Sequence, residues 1–251
     1  MGANQNYDWH SVAASAIDWW IDAGVDASVD ETPRDWLAAI VAPPPPARTR
    51  PGAPAAVEAP PVPALPDTLE AFLAWRASDA APEAAWPGAI IAAQGPVDAP
   101  LLVLIDVPER EDAEAGTLLG GAAGRLFDRM LAAIGQSRAS IHLVAVCAKR
   151  PMTGRIAPDI EERLGEIARH HIALVAPKRV LLLGNAPSRA LLGADVAPAR
   201  ESLRVVNLEG GNKAVTVEAV TSFHPRFLLE RPAQKADAWR DLQMLIGGLD
   251  T

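Results

Sequence analysis

His224 and Pro225 close the apolar run over residues 214–220 (AVTVEAV) and open a helix-like segment, RFLLERP. Pro225 biases the residue before it away from helical backbone, so the imidazole is held at a strand end. An imidazole so placed can accept a proton or donate to a ligand near neutral pH. Three further segments leave apolar runs in the same way: Asp106-Val107-Pro108-Glu109, Lys149-Arg150-Pro151 and Gly184-Asn185-Ala186. A carboxylate, a Lys-Arg pair and a histidine are thereby available for proton transfer and anion contact. Each residue also has a plainer use: Asp106 as a loop cap, Lys149-Arg150 as a solvated strand end, His224 as a hydrogen-bonded turn residue.

The elements that position these residues follow from the pattern. Residues 101–107 (LLVLIDV), 141–148 (IHLVAVCA) and 180–184 (VLLLG) are apolar with little polar alternation, as strands buried on both faces are. Helical spacing marks residues 67–77, 121–135, 160–175, 186–192 and 236–246. Strand and helix alternate, which predicts an α/β fold: three layers, α/β/α, around a mainly parallel sheet. In such sheets ligands bind beyond the carboxyl ends of the strands, so the four segments above predict one mouth.

Upstream, the chain changes character twice. Residues 1–41 hold seven acids and one base, with Trp9, Trp19 and Trp20 in a helix predicted over 7–23 and a second helix over 33–41. This acidic, Trp-rich segment is expected to dock on the core or to recruit a protein partner. Residues 42–66 are rich in proline and alanine and predict an extended linker. Residues 67–251 form the main domain, with 20 bases and 23 acids.

The net charge of −8 disfavours a general polyanion binder but leaves room for a local basic rim. No apolar run approaches the roughly 20 residues that span a bilayer, so no membrane association is expected. With no signal-peptide pattern at the start, the cytoplasm is the default compartment. One cysteine, Cys147, excludes an internal disulfide and any multi-cysteine metal cage within the chain. His170-His171 has no second ligand pair at metal spacing, and no metal site is expected. The glycines at 120, 121 and 124 lack the Gly-Lys-Ser/Thr of a phosphate loop.

Across residues 67–251, the order of motifs resembles the uracil-DNA glycosylase superfamily: strand, acid-x-Pro, acidic loop, Gly-rich helix start, strand ending in Arg-Pro, strand ending in Leu-Gly, and finally His-Pro-x-x-Leu-Leu. It is closest to the branch that often carries an iron–sulfur cluster and shares a domain with phage polymerase-associated proteins. Asp106-Val107-Pro108-Glu109 stands where that branch has Glu-Ala-Pro-Gly, and Ser222 to Leu229 matches its last motif. The resemblance implies excision of a flipped uracil or other deaminated base from DNA. It makes Asp106 and His224 the catalytic pair, and gives substrate contacts to Pro108, Leu119, Ala145 and Pro225. Phosphate contacts fall on Lys149, Arg150, Arg155 and Arg226.

Several positions depart from the family pattern. Leu119 replaces the Phe that stacks on the flipped base, Ala145 the Asn that reads the uracil edge, and Glu109 a glycine. The cluster cysteines would fall near Lys149 and Leu164 and before Leu101, where none is present, so no cofactor is expected. The alternative is a catalytically degenerate glycosylase fold that binds DNA or protein.

Overall fold

Strand Leu101–Ile105 is buried at every position, so both faces of the sheet around it must be covered by apolar helices. The computed structural model describes residues 9–22, 64–153, 155–211 and 213–247. In chain order these residues form α1 (Trp9–Asp22), α2 (Leu69–Arg76), β1 (Leu101–Ile105), α3 (Asp112–Ala115), α4 (Ala122–Ala133), β2 (Ile141–Ala145) and α5 (Pro158–Val175). There follow β3 (Arg179–Leu183), α6 (Asn185–Leu192), α7 (Val196–Ala199), β4 (Arg204–Gly210), β5 (Lys213–Ser222), α8 (Pro225–Glu230) and α9 (Lys235–Ile246).

The sheet order is β2-β1-β3-β5-β4, parallel throughout except for β4, which pairs antiparallel with β5. Side chains alternate along each strand, and both alternations are apolar. Leu102, Leu104, Val180 and Leu182 face Leu164, Ile167 and Ile172 of α5 and Phe72 of α2. Leu101, Val103, Ile105, Leu181 and Leu183 face Phe127 and Leu131 of α4 and Leu242 and Leu245 of α9. This is the expected three-layer arrangement, and among the described residues no helix is long and apolar enough to cross a membrane.

One strand was not expected. Arg204–Gly210 is exposed at most positions and mixes charged with apolar residues, so it carries none of the apolar signature of the inner strands. It adds to the sheet as an edge, hydrogen-bonded to β5 from Arg204 opposite Ala219 to Gly210 opposite Lys213. The chain divides into two units, Met1–Pro60 and Pro61–Thr251. Within the first, α1 forms as predicted and exposes Ile17, Trp19, Trp20 and Ile21 by more than half. The helix expected over 33–41 and nearly all of the linker lie outside the described residues.

β1 has β2 on one side and β3 on the other, so the chain reverses its direction of travel across the sheet between them. The crevice at such a reversal, beyond the carboxyl ends of the strands, is where an open α/β sheet binds ligands. Asp106 follows β1 and Gly184 follows β3 at this point. Gly184 has φ 111°, a region that favours glycine, and a Cβ there would sit 3.7 Å from His224 Cβ and 4.0 Å from Asp106 Oδ2.

The opposite end of the sheet holds a buried imidazole pair. His142 Nε2 lies 3.3 Å from His171 Nε2, and the His171 ring packs 5.1 Å from Phe72. Burial pushes both imidazoles down, His171 to about 3, with His142 and Arg76 adding repulsion at His171. Each ring is therefore neutral in the folded protein while the unfolded chain protonates it near its ordinary value of 6.5. For His171, between pH 6.5 and about 3 the unfolded state binds more protons, so stability falls as pH falls. Urea unfolding at a series of pH values should show this loss, on the order of 1 kcal/mol per pH unit at His171. The His171→Gln variant should show a shallower dependence.

Candidate active site

The cleft at the carboxyl ends of β1, β3 and β5 encloses about 790 Å³. Its walls include Asp106, Glu109, Arg150, Arg155, Gly184, Asn185, Phe223, His224, Arg226 and Phe227. The structure thus brings together Asp106 and His224, separated by more than a hundred residues, with three of the four cations predicted beside them.

His224 is the N-cap of α8, and its Nδ1 accepts a hydrogen bond of 3.2 Å from the Arg226 main-chain N–H. With Nδ1 an acceptor, the neutral ring carries its proton on Nε2. That nitrogen is buried, has no hydrogen-bond partner among the described residues, and lies 3.5 Å from Asp106 Oδ1. At this separation the two atoms are in electrostatic contact without a formed hydrogen bond. Burial lowers the imidazole pKa, opposed by the Asp106 carboxylate and reinforced by the Arg226 guanidinium. The neutral ring is therefore the resting form at neutral pH.

Asp106 is fixed through both oxygens. Oδ1 accepts from the Val107 N–H at 2.8 Å, and Oδ2 from Arg226 Nη2 at 3.3 Å. Arg226 Nη1 donates in turn to Glu109 Oε1 at 2.8 Å. The plainer reading of Asp106 as a loop cap accounts for the Val107 contact but not for the one from Arg226, and the side chain remains 22% exposed on the cleft wall.

The loop after β1 is organised by a residue that the sequence does not single out. Asp112 is fully buried. Its Oδ2 accepts from the Glu109 and Leu119 N–H groups at 2.8 and 2.9 Å, and its Oδ1 from Gly120 N–H at 2.6 Å. Arg138 closes the other side, donating to the Leu118 and Leu119 carbonyls at 2.7 Å each. The available signal was weak: an aspartate in an acidic loop, followed by the Gly120-Gly121 pair.

Not every predicted residue reaches the cleft. Leu119 has φ 55° and packs with Phe127 in the core, and Ala145 on β2 belongs to the same apolar cluster. Neither is among the residues lining the cleft. Pro108 is buried and its carbonyl accepts from Arg150 Nη1 at 2.6 Å, while Pro225 is buried at the first position of α8. Lys149 donates to the carbonyls of Ala84 and Trp86 at 2.6 and 3.1 Å, so it braces the segment after α2. Aromatic surface comes from residues not foreseen for that use: Phe223 and Phe227 stack at 5.0 Å on the cleft wall.

The positions that would hold a cluster do not fit one. Lys149 is occupied by carbonyls, and Leu164 is fully buried in the apolar core. Cys147 is buried, which pushes its thiol pKa up, away from the thiolate form that binds metal. Among the described residues, no group of three or more His, Cys, Asp or Glu side chains could hold a metal ion.

Residues 92–243 match the family described as the uracil DNA glycosylase superfamily. The type-4 uracil-DNA glycosylase of Pyrobaculum aerophilum is 27% identical over 160 residues, which cover 62% of this chain and 81% of that protein. The type-4 uracil-DNA glycosylase of Archaeoglobus fulgidus is 26% identical over 145 residues, covering 56% of this chain and 72% of that protein.

Replacing Asp112 by alanine removes the acceptor for three N–H groups in a buried loop. The expected loss of stability is on the order of 3 kcal/mol or more. Denaturant unfolding checks the magnitude, and amide exchange should locate the loosening at Glu109, Leu119 and Gly120.

Proposed function

We propose that this chain, which belongs to the uracil-DNA glycosylase superfamily, excises a deaminated base from DNA by hydrolysing its N-glycosidic bond. The observation that supports this reading most directly is the approach of Asp106 Oδ1 to His224 Nε2 in the cleft. A carboxylate and a neutral imidazole N–H in one place are the two groups such a hydrolysis needs. A base buried in a duplex is out of reach of this cleft, so the nucleotide must first leave the stack.

In the proposed reaction the bond between C1′ and the base nitrogen breaks, and a water oxygen bonds to C1′. Asp106 accepts a hydrogen bond from that water and stabilises the positive charge that develops on the sugar; it takes up the water's proton or passes it to solvent. His224 donates its Nε2–H toward the base, which leaves with the bonding electron pair and negative charge. Because burial holds the ring neutral, it acts as a hydrogen-bond donor, and the departing base can take its proton from solvent. Arg150 and Arg155 supply local positive charge for phosphates, which reconciles DNA contact with a net charge of −8.

A second reading is favoured by one observation: Leu119 and Ala145, where the resemblance places base stacking and base reading, lie in the core. On that reading the chain is a DNA- or protein-binding module of the same fold, and its acidic Trp-rich segment recruits the partner. Single- and double-stranded oligonucleotides carrying uracil, hypoxanthine or xanthine separate the two. The enzyme should release at least one of these bases, and Asp106→Ala and His224→Ala should each lower the rate by on the order of 10²- to 10⁴-fold while DNA binding is retained. A folded wild-type chain that binds DNA and releases no base from the panel would favour the module.

A further inference from the structure

Arg226 follows the His-Pro pair, where the resemblance gives it a DNA contact, but its guanidinium, on the cleft wall and 39% exposed, is engaged by two carboxylates. Nη2 reaches Asp106 Oδ2 at 3.3 Å and Nη1 reaches Glu109 Oε1 at 2.8 Å. We infer that Arg226 is a positioning residue, a fork that ties Asp106 to Glu109 and fixes the carboxylate against His224. The kinetic part of this inference rests on the excision reading; the geometric part does not.

Three independent features support it. First, the anchor is itself anchored: the Glu109 side chain is only 11% exposed, and its main-chain N–H is held by the buried Asp112. The guanidinium is thus bound to a fixed point on the loop after β1. Second, Asp106 receives one donor on each oxygen, Val107 N–H on Oδ1 and Arg226 on Oδ2, so removing Arg226 frees the carboxylate to rotate. Third, the main-chain N–H of the same residue donates to His224 Nδ1 and thereby sets which nitrogen carries the proton. One residue controls the orientation of both reacting groups.

The charges also argue against a primary phosphate contact. One guanidinium between two carboxylates leaves a local excess of negative charge, which repels a phosphate instead of attracting it. The planar fork matters as much as the charge, since it gives each carboxylate a nitrogen of its own, where an ammonium offers both the same single nitrogen.

The two roles make opposite predictions for three variants. As a positioning residue, Arg226→Ala lowers kcat for base excision by about 10- to 100-fold with KM little changed, the loss expected from a misplaced reacting group. Arg226→Lys stays close to the alanine variant, and Glu109→Ala lowers kcat in the same direction by releasing the fork. A phosphate contact would instead raise KM in Arg226→Ala, reduce the salt slope by about one, be restored by lysine, and strengthen when the competing Glu109 carboxylate is removed. That pattern overturns the inference while leaving the excision reading intact.

A readout independent of activity is the His224 imidazole titration followed by NMR. The charged groups facing the ring are Asp106, Arg226, Glu109 and Asp112, and of these only Arg226 disfavours the imidazolium. Arg226→Ala should therefore move the titration upward, and Arg226→Lys should move it less. This shift in a protein that releases no base would leave the positioning role standing and remove the excision reading. An unmoved titration in Arg226→Ala would overturn the positioning role.

Discussion

β1 and β3 are apolar on both faces over residues 101–105 and 180–183, and that constraint shapes the rest of the molecule. A strand with Leu or Ile turned to both sides has no place for a charge along that run, because burying an unpaired charge there is prohibitively unfavourable. Polar chemistry at these strands is forced to their ends. Asp106, Gly184 and His224 all lie within two residues of the carboxyl end of a strand, and the parallel direction of β1, β3 and β5 puts those ends on one side. The site is a consequence of the packing, as is its position at the reversal between β1 and β3.

The loops that leave the strands are held by buried carboxylates, each with its own set of donors. Asp112 takes three main-chain N–H groups. Glu83 accepts from Ala148 N–H and pairs with Arg76, which also reaches the Val146 carbonyl. Asp241 accepts from Ser222 Oγ and pairs with Arg200. Each carboxylate secures the exit of a different strand: Asp112 after β1, Glu83 after β2, Asp241 at the end of β5. A buried carboxylate with several donors is strongly directional, which makes it suited to fixing loop backbone that apolar packing would leave free.

Fold class was legible in the sequence, and so was the meeting of Asp106 and His224 at one mouth of the sheet, for reasons specific to this chain. Apolar runs such as LLVLI and VLLL leave little alternative to buried parallel strands, and the rule that ligands bind at their carboxyl ends then selects Asp106 and His224. β4 was not legible because an edge strand need not be apolar, and Arg204–Gly210 is mostly exposed. The braces were not legible either. Glu83 meets Ala148 across 65 residues and Arg226 meets Asp106 across 120, and a pattern read in short windows carries no signal for such pairs. Leu119 shows a different failure: its position in the motif suggests the cleft, but a positive φ and an apolar side chain turn it into the core.

Glu109 and Arg226 are best understood together. A glutamate in place of a glycine, three residues after Asp106 and nearly buried, would set two carboxylates against each other in a site of low dielectric. Arg226, after His-Pro, offsets part of the repulsion and, through its fork, ties the two carboxylates into one arrangement. With both present, Asp106 keeps a donor on each oxygen beside His224. On the excision reading, Asp106 is held by protein donors in advance of substrate, and the water it would orient meets a carboxylate that no longer has to be arranged.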